Sequence, residues 1–339
     1  MIVTTPFIEI DGKKIGPGYP TYFVAEGGLN HNGDIKLAKK LVDEAKDSGA
    51  SAIKFQTYKT ESFVRKSNMY FPNFKGAELT YDEFGELKDY AKSVDLTFFS
   101  APFDIESAEH LKKIGVPCFK IASSDLINMP LIQHVAKMNL PMIISTGLSI
   151  MKEVEEAVNH CLYEGNDKIS LLHCIAHYPT SPEEANLDAM NIMRDKFQCP
   201  VGYSDNGEST LVDHVAVSLG ANIIEKHFTL DKKMDGPDQF FSIDPSGLKK
   251  LISEIRQIEK IKGDGKKIPR PSEIEGRYSI RTAITANSTI LEGQTLTSDV
   301  LGIKRPAEGI EPKFLKHIIG KKTNKEIQID TAIHWADII

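Results

Sequence analysis

The chain has 339 residues, of which 41% are apolar and 26% are charged. A chain of this length can bury a large core and does not need disulfides or metal ions as stabilising cross-links. Its 41 basic and 47 acidic residues give a formal net charge of −6. Such a charge creates no general field for nucleic acid or an anionic membrane, so we expect neither as a partner. An anionic ligand would have to be held by a few placed lysines.

Neither the cysteines nor the N-terminal residues indicate export. Cys118, Cys161, Cys174 and Cys199 are scattered and form no CxxC pair, so we expect buried thiols. The sequence MIVTTPFIEI lacks the basic and apolar regions of a signal peptide. No apolar run approaches the ~20 residues that a membrane-spanning helix needs. We therefore expect a cytoplasmic protein.

The first predicted element is a hairpin within residues 1–21, where FIEIDGKKIG turns at Asp11-Gly12. We expect it to plug the bottom of the domain that follows. From Tyr22 onward, short apolar runs alternate with amphipathic stretches. The runs are YFVAE (22–26), AIKFQT (52–57), TFFSAP (97–102), CFKIAS (118–123), MIISTG (142–147), ISLLHC (169–174), VGYSD (201–205) and IIEKHFT (223–229).

Eight apolar runs alternating with helical patterns predict a (β/α)8 TIM barrel over residues 22–263. One helical stripe is Ile35, Ala38, Leu41, Val42 and Ala45, a second lies over 154–161, and a third lies over 248–258. A doubly wound open sheet is the alternative. The Gly-, Pro- and charge-rich stretch 264–277 predicts a linker, and residues 278–339 predict a small β-rich domain.

Polar residues collect where the predicted strands end, which is where barrels carry their functional sites. They are Glu26, Asn30, His31, Lys54, Gln56, Ser100, Lys120, Ser123, Ser145, Thr146, His173, His177, Ser204, Asp205, Glu225 and His227. Burying so many polar groups is costly unless they are paired or used. We therefore expect an active site at this end.

The types of these residues indicate the chemical class of the ligand. Lys54 and Lys120 have apolar neighbours on strands two and four, and two buried ammonium groups suit a dianion such as a phosphate ester. Hydroxyl groups of nearby serines would donate further hydrogen bonds to such a dianion. A Schiff base on one lysine, as in a covalent aldolase, stays open. The histidines could include metal ligands, but no HxH or HExxH spacing indicates a dedicated zinc site.

Several segments in the same order resemble the sialic acid synthase family, which includes N-acetylneuraminate, legionaminate and pseudaminate synthases and a spore-coat polysaccharide relative. The segments are AEGGLNHNGD (25–34), AIKFQTYK (52–59), FSAPFD (99–104), FKIASSD (119–125), ISTG (144–147), LLHCIAHYPT (171–180), GYSDN (202–206) and EKHFTLDKKMDGPD (225–238). Residues 282–310 resemble type III antifreeze protein, so the resemblance implies an antifreeze-like (SAF) domain over 278–339. The resemblance to the family spans nearly the whole chain.

The resemblance implies a transferase like N-acetylneuraminate synthase, which condenses phosphoenolpyruvate with an open-chain N-acylhexosamine and releases phosphate. It implies a divalent metal, Mn²⁺ or Mg²⁺, and a homodimer in which each SAF domain covers the partner's active site. The residues that match the family's functional positions follow by role. Glu26, Lys54 and Lys120 match catalytic positions; Lys54, Lys120, Ser123, Ser145 and Ser204 match phosphoenolpyruvate-binding positions; Glu26, Gln56, Asp125, Tyr178, Asp238 and Arg305 match sugar-binding positions; His227 matches a metal ligand.

Two departures from the family pattern keep alternatives open. Asn206 stands where the family has a metal-binding histidine, so it is a doubtful ligand, and Ala176 stands where sialic acid synthases often have Asn. The alternatives are another phosphoenolpyruvate-dependent sugar-acid synthase, a Schiff-base aldolase, or an impaired sugar-binding homologue. The sequence does not choose between N-acetylmannosamine and a 6-deoxy diacetamido relative.

Overall fold

The structure, a computed structural model, describes residues 5–339. The chain forms two compact units, Met1–Gly263 and Asp264–Ile339. Residues 1–4, at the start of the predicted N-terminal segment, lie outside the described residues. In the first unit, the hairpin consists of β1 (Ile8–Ile10) and β2 (Lys13–Ile15), which pair antiparallel. Asp11 and Gly12 form its turn with positive φ angles of 51° and 75°.

Eight parallel strands follow and close into a barrel. They are β3 (Tyr22–Gly28), β4 (Ala52–Thr57), β5 (Thr97–Pro102), β6 (Phe119–Ile121), β7 (Met142–Ser145), β8 (Ile169–Cys174), β9 (Val201–Asp205) and β10 (Ile223–His227). Each strand pairs with the next along the chain, and β10 pairs with both β9 and β3. The predicted (β/α)8 barrel is confirmed, and this closure excludes the doubly wound open sheet.

Helices connect the strands and cover the outside of the barrel. They are α1 (Ile35–Asp47), α2 (Thr60–Phe63), α3 (Phe71–Ala77), α4 (Tyr81–Ser93), α5 (Ile105–Ile114), α6 (Met129–Lys137), α7 (Met151–Tyr163), α8 (Asp188–Phe197), α9 (Thr210–Ser218) and α10 (Pro245–Lys262). The predicted stripe of α1 is buried through Ala38, Leu41, Val42 and Ala45. Asp34 begins α1 by accepting a hydrogen bond from the Lys36 amide. Within residues 5–339, no helix combines the length and apolar character needed to cross a bilayer.

The hairpin packs against the amino-terminal end of the barrel interior. Ile8, Ile10 and Ile15 form one buried apolar cluster with inward residues of six barrel strands and with Cys118, which directly precedes β6. The hydroxyl of Thr97, at the start of β5, donates to the carboxylate of Asp11 at 3.0 Å. Apolar side chains thereby fill the amino-terminal end of the barrel interior.

The second unit is small and built around its own core. Its elements are α11 (Ile274–Ser279), β11 (Ala283–Ala286), β12 (Leu301–Lys304) and α12 (Leu315–Ile318). Strands β11 and β12 pair antiparallel, and Ile284, Leu296 and Ile333 lie in the core between the chain's many turns. The predicted linker 264–277 is partly helical, because its last residues form the first turn of α11.

Candidate active site

A layer of buried polar side chains lies above the apolar layer inside the barrel. We call this layer the polar floor; its members are Glu26, Lys54, Lys120, Ser145, Ser204 and Glu225. All six are buried, with at most 6% of each residue exposed. They face the same way because side chains alternate along a strand, so every second residue of β3, β4, β6, β7, β9 and β10 points inward.

Carboxylates on β3 and β10 pair with the two buried lysines. The Lys54 Nζ atom lies 3.0 Å from Glu26 Oε2 and 3.4 Å from Glu225 Oε1. The Lys120 Nζ atom lies 3.6 Å from the same Glu225 oxygen and donates a 2.6 Å hydrogen bond to Ser145 Oγ. Ser204 Oγ donates to that Glu225 oxygen at 3.0 Å. One carboxylate therefore holds both ammonium groups in place.

The two carboxylates of the polar floor have opposite electrostatic environments. Burial raises the pKa of Glu26 to about 7, although Lys54 opposes the shift, and Glu225 adds to it. Burial also acts to raise the pKa of Glu225, but Lys120 and Lys54 outweigh it and lower that pKa to about 2. Two acids whose pKa values are driven apart by their surroundings are typical of sites that carry out acid–base catalysis. At neutral pH, Glu225 is ionised and Glu26 can exchange a proton.

The pKa values of the two buried lysines are also shifted in opposite directions. Burial works against the charge of Lys54, but Glu225 and Glu26 outweigh it, so the pKa of Lys54 is raised. For Lys120, burial is the larger effect, and its pKa is lowered even though Glu225 opposes this. An incoming anion would act to raise the pKa of Lys120, because it would add a negative partner beside the Glu225 carboxylate that this lysine shares with Lys54.

The pKa of Glu26 predicts how stability depends on pH. The folded protein keeps this proton up to about pH 7, whereas the unfolded chain releases it near 4.5, so stability should fall as pH rises between these values. Replacing Glu26 by Gln removes this contribution to the pH dependence of stability. We expect the unfolding free energy of Glu26→Gln, relative to wild type, to rise by at most about 3 kcal/mol between pH 5 and 8.

Denaturant titrations at both pH values measure this change. The matched control is Glu156→Gln, whose carboxylate is exposed on α7 and should leave the wild-type pH dependence unaltered. A difference between Glu26→Gln and wild type that stays constant across the range would contradict the assignment of a raised pKa to Glu26.

A cavity of about 390 Å³ lies above the polar floor, between the loops that follow the strands. Five predicted site residues line it, namely Gln56, Ser123, Tyr178, His227 and Asp238. Gln56 joins the cavity to the floor, because its Nε2 atom donates to Glu26 Oε1 at 3.3 Å. Ser123 Oγ accepts from the Gly147 amide at 3.1 Å. The structure thus brings these five residues together over the two lysines.

The loop after β10 carries Asp238 and is fastened to the loop after β3. Asn30 Nδ2 donates to the Phe228 carbonyl and to Ser242 Oγ, both at 2.9 Å. Ser242 Oγ in turn donates to the Asp238 carbonyl at 2.5 Å. A β-carbon on Gly28, whose φ is +47°, would lie 3.1 Å from Glu26 Oε1 and 3.7 Å from Asp238 Oδ2. The positive φ and the close Glu26 oxygen both favour glycine at this position.

His227 is the residue best placed to bind a metal ion. Its buried Nδ1 atom has no hydrogen-bond partner and lies 3.8 Å from Asp238 Oδ2. Burial, aided by Lys54, lowers the pKa of His227 to about 3, so the imidazole is neutral and can ligate. The amide of Asn206 instead donates to the Ile175 carbonyl at 2.8 Å and to Cys174 Sγ.

Across residues 5–339, no group of three or more His, Cys, Asp or Glu side chains is arranged to hold a metal ion. One imidazole beside one carboxylate fits a divalent ion that keeps water or substrate as its other ligands. It does not fit a closed structural zinc site.

Some polar residues at the strand ends face away from the cavity. Ser100 pairs with Thr57 at 2.7 Å, and His173 bonds the Ala185 carbonyl at 2.8 Å. Asp205 pairs with Lys226, which also lies 3.2 Å from Asp213 of α9. The prediction that the whole set converges on one site is therefore wrong for these residues. They alternate with inward residues and support the loops instead.

Two predicted sugar-binding residues are not among the lining residues of the cavity: Asp125 of the first unit and Arg305, which belongs to the second unit. Both carboxylate oxygens of Asp125 accept local hydrogen bonds, one from Ser124 at 2.8 Å and one from Asn128 at 3.0 Å. Arg305 is exposed in the second unit, directly after β12. The roles of both residues in sugar binding stay predictions.

The sequence left two features of the site without a role. Glu225 was grouped with the polar strand ends, but its position between both lysines was not foreseen. Its position two residues before His227 was a usable signal, because residues i and i+2 of a strand share a face. The second feature is an aromatic wall formed by Phe63, Phe74 and Phe103, which lies along one side of the cavity. Short helices α2 and α3 carry two of its members.

The fold and the site define a class of protein. It is a (β/α)8 barrel with a buried floor of lysines and carboxylates beneath a cavity of small-molecule size, at the end where barrel enzymes carry their chemistry. Residues 41–267 match the model of the NeuB family. The chain belongs to the NeuB family, and the resemblance to sialic acid synthases is confirmed at this level.

Similar proteins extend over nearly the whole chain. An uncharacterized protein of Methanocaldococcus jannaschii is 46% identical over 332 residues, with 98% of both chains covered. N,N'-diacetyllegionaminic acid synthase of Legionella pneumophila is 38% identical over 349 residues, covering 97% of this chain and 98% of its own. The crystal structure of the N-acetylneuraminic acid synthetase of Leptospira borgpetersenii, in complex with citrate, is 38% identical with a TM-score of 0.77. That match covers 81% of this chain and 96% of the synthetase.

Proposed function

We propose that this protein is a nonulosonic acid synthase, a transferase that condenses phosphoenolpyruvate with an open-chain N-acylhexosamine and releases phosphate. The observation that carries the proposal is the pair of buried ammonium groups, Lys54 and Lys120, which lie 3.4 and 3.6 Å from one Glu225 oxygen beneath the cavity. Two cations of this kind suit a small, highly charged ester such as phosphoenolpyruvate. Membership in a family with synthases among its members supports the same reaction.

The proposed reaction forms two bonds to carbon, one from C3 to the sugar and one from water to C2, and breaks the bond from C2 to the phosphate. C3 of phosphoenolpyruvate attacks the sugar aldehyde carbon, whose oxygen takes up a proton. Water then adds at C2 and loses a proton, and the bond from C2 to the phosphate oxygen breaks. Lys120 and the hydroxyls of Ser123, Ser145 and Ser204 bind the ester, and Lys54 stabilises charge that develops during the reaction. Glu26, with a pKa of about 7, accepts the proton of the attacking water.

Above the ester, the sugar would occupy the cavity. Gln56, Tyr178 and Asp238 are the lining residues that we assign to its hydroxyl and acyl groups. A divalent ion held by His227, and by Asp238 beside it, would supply Lewis acidity at the aldehyde oxygen. The second unit, as an antifreeze-like domain, would cover the active site of the partner subunit in a homodimer and bring Arg305 over the sugar.

The test is phosphate release from phosphoenolpyruvate by the purified full-length chain, with and without an N-acylhexosamine. We expect release that depends on the sugar and yields a nine-carbon keto acid when the sugar has six carbons. Release that occurs without sugar, or no release with any N-acylhexosamine, would reject the synthase. The second of these results would favour an impaired sugar-binding homologue.

A Schiff-base aldolase is the second candidate, and Lys120 is the reason. Burial lowers its pKa, and a neutral amine is the form that attacks a carbonyl. Borohydride reduction in the presence of pyruvate would attach the ligand covalently to Lys120 in an aldolase. We expect no such adduct by mass spectrometry, because the proposed condensation passes through no imine.

The metal proposal makes a separate prediction. Since the described residues supply only one imidazole and one nearby carboxylate, we expect EDTA to remove the ion readily and to abolish activity, and Mn²⁺ or Mg²⁺ to restore it. Replacing Asn206 by His adds an imidazole and should tighten Mn²⁺ binding by about tenfold or more, measured by calorimetry. Full activity after exhaustive chelation would contradict the proposal.

A further inference from the structure

Three buried charged side chains form a cluster on the outer face of the barrel, where the proposed reaction does not use them. Lys226 of β10 pairs with Asp205 at the end of β9, and its Nζ atom lies 3.2 Å from Asp213 Oδ2 of α9. We call these three residues the outer triad; each is at most 1% exposed. None of them lines the cavity, so any influence on the reaction passes through their neighbours.

The formal charges of the outer triad do not balance. One ammonium faces two carboxylates away from water, and an excess buried charge is costly. Burial raises the pKa of Asp213 well above its ordinary value; Lys226 opposes this shift and Asp205 adds to it. Asp213 therefore carries a proton at neutral pH. The Lys226 ammonium is then paired with the single carboxylate of Asp205, and the triad as a whole is neutral.

The outer triad holds the first residues of the loop after β9. Lys226 Nζ donates to the Gly207 carbonyl at 3.0 Å, and Asp205 Oδ1 accepts from the Gly207 amide at 2.8 Å. The loop after β8 contacts the same residues, because the Thr180 amide donates to the Asn206 carbonyl at 3.1 Å. A β-carbon on Gly207 would lie only 2.8 Å from the Thr180 carbonyl oxygen. The triad therefore supports two neighbouring loops.

The strands that carry the outer triad present site residues on their opposite face. In the parallel register of β9 and β10, Asp205 lies beside Lys226, and Ser204 lies beside Glu225. Side chains alternate along a strand, so the first pair points outward and the second points inward. Ser204 Oγ donates at 3.0 Å to the Glu225 oxygen that lies near both buried lysines. A shift between the strands that breaks the outward pair also disturbs the inward one.

Resting on the synthase function, we propose that Lys226 is a positioning residue, which together with Asp205 holds β9 and β10 in the arrangement that binds phosphoenolpyruvate. Through Gly207 it also fixes the loop after β8, which brings Tyr178 to the cavity. Loss of the outer triad leaves both lysines of the polar floor in the chain. The serine and carboxylate contacts that orient them are weakened, so the ester binds less tightly.

The experiment uses the double variant Lys226→Met/Asp205→Asn, which removes the ion pair and leaves no unpaired charge, because Asp213 keeps its proton. Since a hydrogen bond to a charged group contributes roughly 10- to 150-fold in affinity, we expect KM for phosphoenolpyruvate to rise by at least about tenfold. Steady-state phosphate release with an N-acylhexosamine measures it, and kcat should change less than KM. A purely structural triad predicts the opposite, because a smaller folded fraction lowers apparent kcat and leaves KM unaltered.

Two further variants serve as controls. Lys196→Met breaks an ion pair with Glu155 that joins α8 to α7 at 2.8 Å, and it should change neither constant. Asp213→Asn replaces a protonated acid by a group of nearly the same shape, so KM and the melting temperature should stay close to wild type. Asp205→Asn removes the ionised partner of Lys226 and should raise KM. Equal losses in the two Asp→Asn variants would overturn the assignment of the proton to Asp213.

Amide hydrogen exchange, followed by mass spectrometry without substrates, tests the positioning role independently of activity. We expect faster exchange in residues 205–209 and 176–181 of the double variant, and unchanged exchange in residues 52–57. Unchanged exchange in the two loops, or an unchanged KM in the folded double variant, overturns the role of Lys226 and leaves the synthase function standing. If wild type releases no phosphate with any N-acylhexosamine, the synthase function fails, and with it the effect of Lys226 on the reaction.

Discussion

Replacing Lys54 by Met should lower kcat/KM for phosphoenolpyruvate by roughly 30- to 5,000-fold, and replacing Lys120 by Met should do the same. The loss of one partner from a buried charge pair costs about 2–5 kcal/mol, and the substrate would bring several negative charges onto the same floor. Steady-state phosphate release measures the loss. Lys54 Nζ lies within 3.4 Å of two carboxylates, so the variant also leaves both without their nearest cation.

That second effect requires a control, because an uncompensated buried carboxylate can unfold the protein. The double variant Lys54→Met/Glu26→Gln removes the opposing charge together with the lysine, and neutralising a buried pair costs far less stability than breaking it. We expect its melting temperature to return toward wild type while activity stays low. If either single variant keeps kcat/KM within about threefold of wild type, that lysine is structural.

The barrel could be predicted because its signals are local. Each of the eight predicted apolar runs overlaps a strand, and residues such as Leu41 and Val42 are buried where the 3.6-residue period places them. Helices α2 and α3 were not predicted. With 4 and 7 residues, they are too short to show a helical period, and they are held by contacts such as Tyr58 against Phe63 that join distant positions.

The candidate site was predicted in its residue types and in part in its geometry. Lys54 and Lys120 could be recognised as buried cations because charged residues interrupt apolar strands. Which polar residues share a face depends on strand parity, and parity separates inward Glu225 from outward Lys226 only once the strand is known to belong to a barrel. The approach of Asp238 to His227 depends on the loop after β10, which Asn30 of the loop after β3 holds by a hydrogen bond to the Phe228 carbonyl. No local sequence pattern encodes that contact.

The last prediction concerns Arg305 and the homodimer. Within the described residues, Lys304 pairs with Asp330 of its own unit, whereas the exposed guanidinium of Arg305 has no hydrogen-bond or ion-pair partner. A barrel that handles a reactive enol ester needs a cover against water, and we propose that Arg305 of one subunit provides part of it for the other. Arg305→Ala should lower kcat/KM by about 10- to 150-fold. Lys304→Ala is the matched control and should leave it unchanged.

Mixing an Arg305→Ala chain with a Lys54→Met chain distinguishes a cover in trans from one within the same chain. If subunits exchange at random, half of the dimers are mixed, and each mixed dimer has one site with Lys54 from one chain and Arg305 from the other. Activity should then return toward a quarter of wild type. If Arg305 instead covers the active site of its own chain, every site keeps one substitution, because each chain carries either Arg305→Ala or Lys54→Met. Exchange proven with differently tagged subunits, without recovery of activity, would therefore refute the arrangement in trans.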